Sequence, residues 1–297
     1  MRLFSDISRL LARGVLGINR RNLACIFDRN PRSLFPVVDD KLLMAELCAR
    51  VGIPTPKIIG ILSLNAELRN LEQYLRFRDE IVIKPARGSG GRGILVLAGR
   101  QDGQYLKANG RLIDADGIRQ HVADILAGIF SLGGQADRAI LQQRVRSHPA
   151  FDGISPRGIP DIRLVLYRFE PVMAMLRLPT LASAGRANLH QGGIGVGVEL
   201  ENGRTHHAIH RDRPVTEHPD TGEALMDRVV PHWDAIVEMA KKTARAVGLG
   251  FVGIDIVIDA EDGPLLLEAN ARPGLAIQLA NNRGLGERIA EIDGRFL

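Results

Sequence analysis

Apolar residues recur along the chain at helical spacing in some stretches and in short strand-like runs in others. In residues 2–16, Leu3, Ile7, Leu10, Leu11 and Val15 share a helical face, with Arg2, Arg9 and Arg13 elsewhere on the wheel. This predicts a helix docked on the main body. A basic helix lying on a membrane surface or a protein partner is the second reading. Pro31 and Pro36 mark residues 30–37 as a linker. A helix follows, capped by Asp39 or Asp40, with Leu42, Leu43, Leu47 and Val51 as its apolar stripe and Gly52 and Pro54 as its stop. Strands are predicted at 81–84, 94–97 and 139–143, a hairpin at 104–113 turning on Asn109-Gly110, and a helix at 116–130. Further strands are expected at 161–168, 172–178, 194–200 and 204–209, then a helix at 232–247. Two last strands, 251–258 and 264–269, precede a short helical tail. Many sequential strands are antiparallel neighbours, so the fold class is α+β.

Composition adds little to this picture, but charge narrows the partners. The 297 residues are 45% hydrophobic and 25% charged, as expected of a soluble globular chain. Net charge is +5 and the pI about 9.5, which favours anionic ligands. Aromatic residues are 4% and no basic stretch interleaves with them, so nucleic acid is not expected. Cys25 and Cys48 lack metal-like spacing and read as reduced thiols of a cytoplasmic protein. No apolar run approaches the roughly 18 residues of a membrane span.

The first chemical signal is glycine-rich. Gly88-Ser89-Gly90-Gly91-Arg92-Gly93 follows the strand Ile81-Val82-Ile83-Lys84-Pro85. A strand on each side excludes a dinucleotide fingerprint, and no Gly-Lys-Ser/Thr follows, which excludes a Walker loop. What remains is a hairpin whose backbone N–H groups can approach phosphate oxygens, with Lys84, Arg87 and Arg92 adding charge. A flexible surface hairpin is the alternative.

The second signal is a pair of carboxylates. Strand 251–258 sets Asp255 on one face, against Val252, Ile254, Ile256 and Ile258 on the other. A four-residue loop at 260–263 pairs Asp259 with Pro264 and so sets Asp255 opposite Glu268. Leu266 and Asn270 are then expected on the face of Glu268. Opposed like charges call for a cation. Two carboxylates and an amide suit Mg²⁺; a solvated acidic hairpin face is the alternative. Arg272 lies near that face. Asp161-Ile162-Arg163 opens another strand, and Arg163 can fork two phosphate oxygens. Arg186, Asn188, Gly192 and Gly193 share one polar turn. His206, His207 and His210 lie on a strand and loop without cysteine and read as surface residues rather than a zinc site.

Taken in order, these motifs resemble the ATP-grasp superfamily, most closely the branch of the ribosomal-protein glutamate ligase and its α-L-glutamate ligase-like relatives. The matching pieces are Asp40-Lys41, Lys84-Pro85, residues 88–93, Asp161-Ile162-Arg163, Arg186 to Asn188 with Gly192-Gly193, Gly253 to Asp255, and Glu268 to Asn270. The resemblance implies two α+β lobes clamping ATP: a small lobe at 39–140 and a C-terminal lobe at 141–297, after an N-terminal segment at 1–38. It implies phosphate contacts from Lys41, Lys84 and the glycine loop, and a hinge along the adenine at Gln142, Gln143, Arg144 and Val145. Arg163 and Asn188 would face the γ-phosphate and an acyl phosphate, with Arg186 nearby. Asp255, Glu268 and Asn270 would bind two Mg²⁺ ions, with Mn²⁺ as the alternative metal.

The implied activity joins a small-molecule or peptide carboxylate to an amine through an acyl phosphate. A phosphotransferase and a non-catalytic nucleotide-binding subunit of a membrane-associated assembly are the rival readings. Relatives carry a full N-terminal domain, whereas residues 1–38 precede the small lobe here, so a homo-oligomer or partner is expected to complete the acceptor site. Gln143 stands where a Glu is frequent, and an insertion at 147–160 follows the hinge.

Overall fold

The computed structural model describes residues 9–88 and 90–295, which fall into two compact units. The smaller comprises Asp39–Leu42 and Thr55–Arg146; the larger comprises the chain up to Val38, Leu43–Pro54 and Ser147 onward.

The smaller unit is one antiparallel sheet backed by a helix. Its strands are β1 (Ile58–Leu62), β2 (Glu80–Pro85), β3 (Leu95–Gln101), β4 (Gln104–Lys107), β5 (Leu112–Ile113) and β6 (Ala139–Gln142), in the order β1-β6-β2-β3-β4-β5. The helix Ala115–Leu126 starts where the Asp114 side chain accepts from Gly117 N, and it buries Ile118, Val122, Ile125 and Leu126. These pack on Ile81, Ile83, Leu97 and Leu141. The predicted hairpin forms, with Tyr105 opposite Ile113 and Leu106 opposite Leu112.

The larger unit is a seven-stranded antiparallel sheet: β7 (Asp161–Tyr167), β8 (Glu170–Leu178), β9 (Ile194–Val198), β10 (Thr205–His210), β11 (Arg213–Pro214), β12 (Phe251–Asp259) and β13 (Gly263–Asn270), in the order β11-β10-β9-β8-β7-β12-β13. Alternation divides its faces. Leu164, Leu166, Val252, Ile254 and Ile256 pack on one side under the helix Trp233–Val247. Val165, Tyr167, Met173, Met175 and Phe251 face the other way and are covered by Leu16, Cys25, Ile26 and Ile292.

Two expectations are corrected here. Residues 30–37 are no linker: helical turns run over Arg32–Leu34 and Phe35–Asp39. Pro36 sits in a first turn, where its missing N–H has no helical partner to lose. Asn30 is buried and ties this segment to the sheet. Its Nδ2 donates to Phe251 O at 2.7 Å and Ala271 O at 3.1 Å, while its Oδ1 accepts from Phe251 N at 2.9 Å. In the helix Lys41–Val51, the residues buried against the larger core are Met44 and Cys48, and Leu43 is exposed. Leu42 is buried, and Leu47 and Val51 pack against that core. The predicted stripe thus gains Met44 and Cys48 and loses Leu43.

Residues 1–8 of the expected basic helix lie outside the described residues; 9–12 are helical, with Leu10 and Leu11 exposed. No helix among the described residues is long and apolar enough to cross a membrane.

Candidate functional site

Asp255 and Glu268 do face each other across β12 and β13, but not by the expected register. The turn spans three residues, not four: Asp259 pairs with Gly263, Ile258 with Pro264 and Ile256 with Leu266. A bulge then skips Leu267, and Asp255 meets Glu268. The shorter turn follows from its chemistry. Asp259 Oδ1 accepts from Glu261 N and Asp262 N, and Gly263 takes a left-handed φ of 71°. Leu266 consequently packs in the core beside Ile254 and Ile256, not on the face of Glu268.

Around this pair the sheet assembles a charged cluster. Register places Arg163 of β7 opposite Asp255. Its Nε donates to Asp255 Oδ1 at 2.7 Å and its Nη2 to Oδ2 at 2.5 Å, a bidentate pair. Arg177 of β8 lies opposite Asp161 and bonds it through Nε; its Nη2 also reaches Asp255 Oδ2 at 2.8 Å. Asn270 Nδ2 lies 3.3 Å from both Asp255 Oδ2 and Glu268 Oε1. Glu268 forms no ion pair among the described residues.

Burial sets the protonation of this cluster. Desolvation pushes the Asp255 carboxyl up, but Arg163 and Arg177 overcome it and hold it well below the usual carboxylate range. Asp161 is pushed up to about 7, by burial first and by repulsion from Asp255, against the pull of Arg177. Burial works against the Arg177 cation, yet Asp161 and Asp255 raise it further still.

Arg177 and the buried Asp161 were missed as site residues. The available signal was a lone charge in the otherwise apolar run from Val172 to Leu178. Three predicted residues do not join the cluster through any hydrogen bond. Asn188 Oδ1 accepts from His190 N and caps the turn Leu189–Gln191; Arg186 Nη1 donates to Gln191 Oε1. Arg272 stacks over the Phe35 ring at 4.8 Å. The three histidines are each spoken for: His206 by Asn281, His207 by Ala280 O and His210 by Gly192 O. Among the described residues no three His, Cys, Asp or Glu side chains group as a metal cage.

The smaller unit carries the other predicted residues. Lys84 is the last residue but one of β2 and is buried. Lys41 N donates to Ala86 O, and its Nζ to Gly88 O at 2.7 Å. Gly90, Gly91 and Gly93 all take left-handed φ, open to glycine without strain. Arg92 is exposed, and Ser89 lies outside the described residues. Along the predicted hinge, Gln142 is buried with its Nε2 on Pro56 O at 2.7 Å. Gln143 N donates to Lys57 O, and Val145 is buried. Arg144 pairs with Glu80 at 2.6 Å, and Arg146 pairs with the same carboxylate. The Glu80 carboxylate is thus already held by two arginines.

Two antiparallel sheets of this topology, one carrying a glycine loop between β2 and β3 and one bearing opposed carboxylates beside partly buried arginines, are the architecture of an ATP-grasp protein. The family model described as sugar-transfer associated ATP-grasp matches residues 20–294, and the chain belongs to that family. The resemblance read from the motifs therefore holds. Among curated proteins, a probable alpha-L-glutamate ligase of Parasynechococcus marenigrum (strain WH8102) is 27% identical over 259 residues, covering 86% of this chain. The chain spans 41% of that relative's length. Among solved structures, D-alanyl-alanine synthetase A from Vibrio cholerae O1 biovar eltor aligns over 88% of this chain and 65% of its own, at 13% identity and a TM-score of 0.53. The ATP-grasp ligase PsnB, complexed with a phosphomimetic variant of its minimal precursor, Mg and ADP, aligns over 91% of this chain and 62% of its own, at 14% identity and a TM-score of 0.50. These two likenesses bear on the fold.

Proposed function

We propose that the chain is an ATP-dependent, ADP-forming ligase that joins a carboxylate to an amine, adding an amino acid to a peptide or small acceptor. The observation that carries this reading is the Asp255–Glu268 pair with Asn270 between them and two arginines alongside. Among the described residues Glu268 forms no ion pair, and Asp255 is held ionised by Arg163 and Arg177. Two carboxylates and an amide are hard oxygen donors, the set Mg²⁺ takes together with phosphate oxygens and water. Asp255, Glu268 and Asn270 would hold the metal, which neutralises the triphosphate and polarises its γ-phosphorus.

The side chains then divide the work by charge. Lys41, Lys84 and the backbone of residues 88–93 engage the phosphate chain. Arg163, whose Nε–Nη2 edge is held by Asp255, would turn its remaining guanidinium N–H groups to the γ-phosphate as the substrate carboxylate attacks it. Attack forms a carboxyl–phosphate bond, breaks the γ-phosphate's bond to ADP, and leaves an acyl phosphate. The amine adds to the acyl carbon, loses a proton to solvent, and expels inorganic phosphate. No acid–base residue is required; position and charge stabilisation carry the step. Arg177 steadies Asp255 and Arg163 rather than touching the substrate.

Purified protein is mixed with Mg-ATP and a panel of carboxylates and amines, and phosphate and product masses are followed. The reading expects ADP release that needs both a carboxylate and an amine, with a product lighter by one water than their sum. A phosphorylated hydroxyl product, or nucleotide binding without turnover on any pair, would overturn it.

A further inference from the structure

The two ends of the glycine loop rest on consecutive residues. Gly88 forms an antiparallel bridge with Ser131. Gly93 lies against Phe130 so closely that a Cβ there would sit 2.5 Å from the ring. His121, from the helix Ala115–Leu126, bonds Gly93 O through Nε2 at 3.0 Å, and its ring lies 5.4 Å from that of Phe130. The Gly88 end is fixed by a buried carboxylate. Asp137 Oδ2 accepts from Ser131 Oγ at 2.7 Å and from Arg87 N at 2.9 Å, while its Oδ1 accepts from Arg138 N at 2.8 Å.

A second buried acid continues the network to Lys41. Asp40 accepts from Arg87 Nε at 3.1 Å and Arg138 Nη2 at 2.5 Å, and it caps Leu42 N at 3.0 Å. Lys41 in turn reaches Gly88 O. Two carboxylates beside a phosphate-binding surface oppose an anionic ligand by charge. Their placement makes sense as scaffolding for the cations and N–H groups around them.

We propose that Asp137 and His121 are positioning residues for nucleotide binding, each fixing one end of the glycine loop so that its donors are aimed before the phosphates arrive. The inference rests on the nucleotide-binding part of the reading above and needs no knowledge of the carboxylate or the amine. Preorganisation of this kind appears in affinity, because a loosened loop must be ordered on binding. It acts only on ligands that carry phosphate.

The test is calorimetric binding of Mg-ADP and, in parallel, of adenosine. Asp137→Asn and His121→Phe are expected to weaken Mg-ADP by roughly tenfold, the loss of about one net hydrogen bond, and to leave adenosine unchanged. His121→Gln, which keeps an N–H donor, is expected to restore most of the loss. Should Asp137→Asn fail to fold, Ser131→Ala removes one bond at the same end and should weaken Mg-ADP several-fold. Wild-type affinity in these variants would overturn the proposal. So would equal losses for ADP and adenosine, or a Gln variant as weak as Phe. Failure of the wild-type protein to bind Mg-ADP would instead defeat the nucleotide reading itself.

Discussion

Asp255 stands opposite Glu268 because a turn shortened to three residues and a bulge at Leu267 offset one another in the β12–β13 ladder. The bulge keeps Leu266 in the core while turning Glu268 to the other face. It leaves two acidic groups adjacent on a sheet whose reverse side is apolar, and among the described residues only Asp255 of the two forms ion pairs with arginine.

Glu268 should therefore be the sensitive member for catalysis and an insensitive one for folding. Glu268→Gln keeps size and hydrogen bonding but removes the charge. We expect kcat to fall by about 100-fold or more, with the urea midpoint unchanged or slightly raised, since a like-charge contact is relieved. Near-normal turnover in this variant would remove the metal assignment.

Arg177 should show the reverse. Its guanidinium bonds Asp161 and shares Asp255 with Arg163 in a buried setting. Arg177→Met leaves two buried acids short of a cation, and loss of one partner from such a network costs about 3–5 kcal/mol. Adding Asp161→Asn should recover part of that loss. The comparison is a double-mutant cycle by urea unfolding; strict additivity would show that the two residues do not act as a unit.

How much of this was legible in sequence depends on range. β12 and β13 could be read because apolar alternation and a local turn carry the information. The expected Asp255–Glu268 pairing rests on two register errors that cancel, so the two residues face each other for a partly different reason. In the sequence Arg177 shows only as a lone charge in an apolar run, because its role exists only once β7 and β8 place Asp161 beside it. Pro31 and Pro36 give the segment around Asn30 the look of a linker, while its anchors, Phe251 and Ala271, lie more than two hundred positions away. The loop anchors His121 and Asp137 carry no motif at all.

Asn30 gives a direct check on that segment. Asn30→Ala strips three buried hydrogen bonds from Phe251 and Ala271. Leaving those backbone groups without partners should cost at least about 2 kcal/mol, measured by urea unfolding. A loss below about 0.5 kcal/mol, the range of ordinary surface changes, would show that the segment is not anchored there.

Acidity of the buried cluster makes the stability of the fold depend on pH. Burial first, and repulsion from Asp255 second, push Asp161 up to about 7 from an ordinary value of 3.8, with Arg177 pulling the other way. Between those two values the folded protein holds a proton that the unfolded chain has released. The contribution of Asp161 to stability is thus largest below about pH 4, declines as pH rises towards about 7, and is flat beyond. Asp255 has the opposite sign. Its carboxyl lies below the usual range, so its contribution is present above about pH 4 and is lost only on further acidification. Unfolding without divalent ion at about pH 5 and about pH 8 separates the two. The wild-type protein should lose more stability over that interval than Asp161→Asn, which has no proton to release. Identical losses in the two proteins would mean that Asp161 is already ionised at the lower pH, and that Arg177 outweighs its burial.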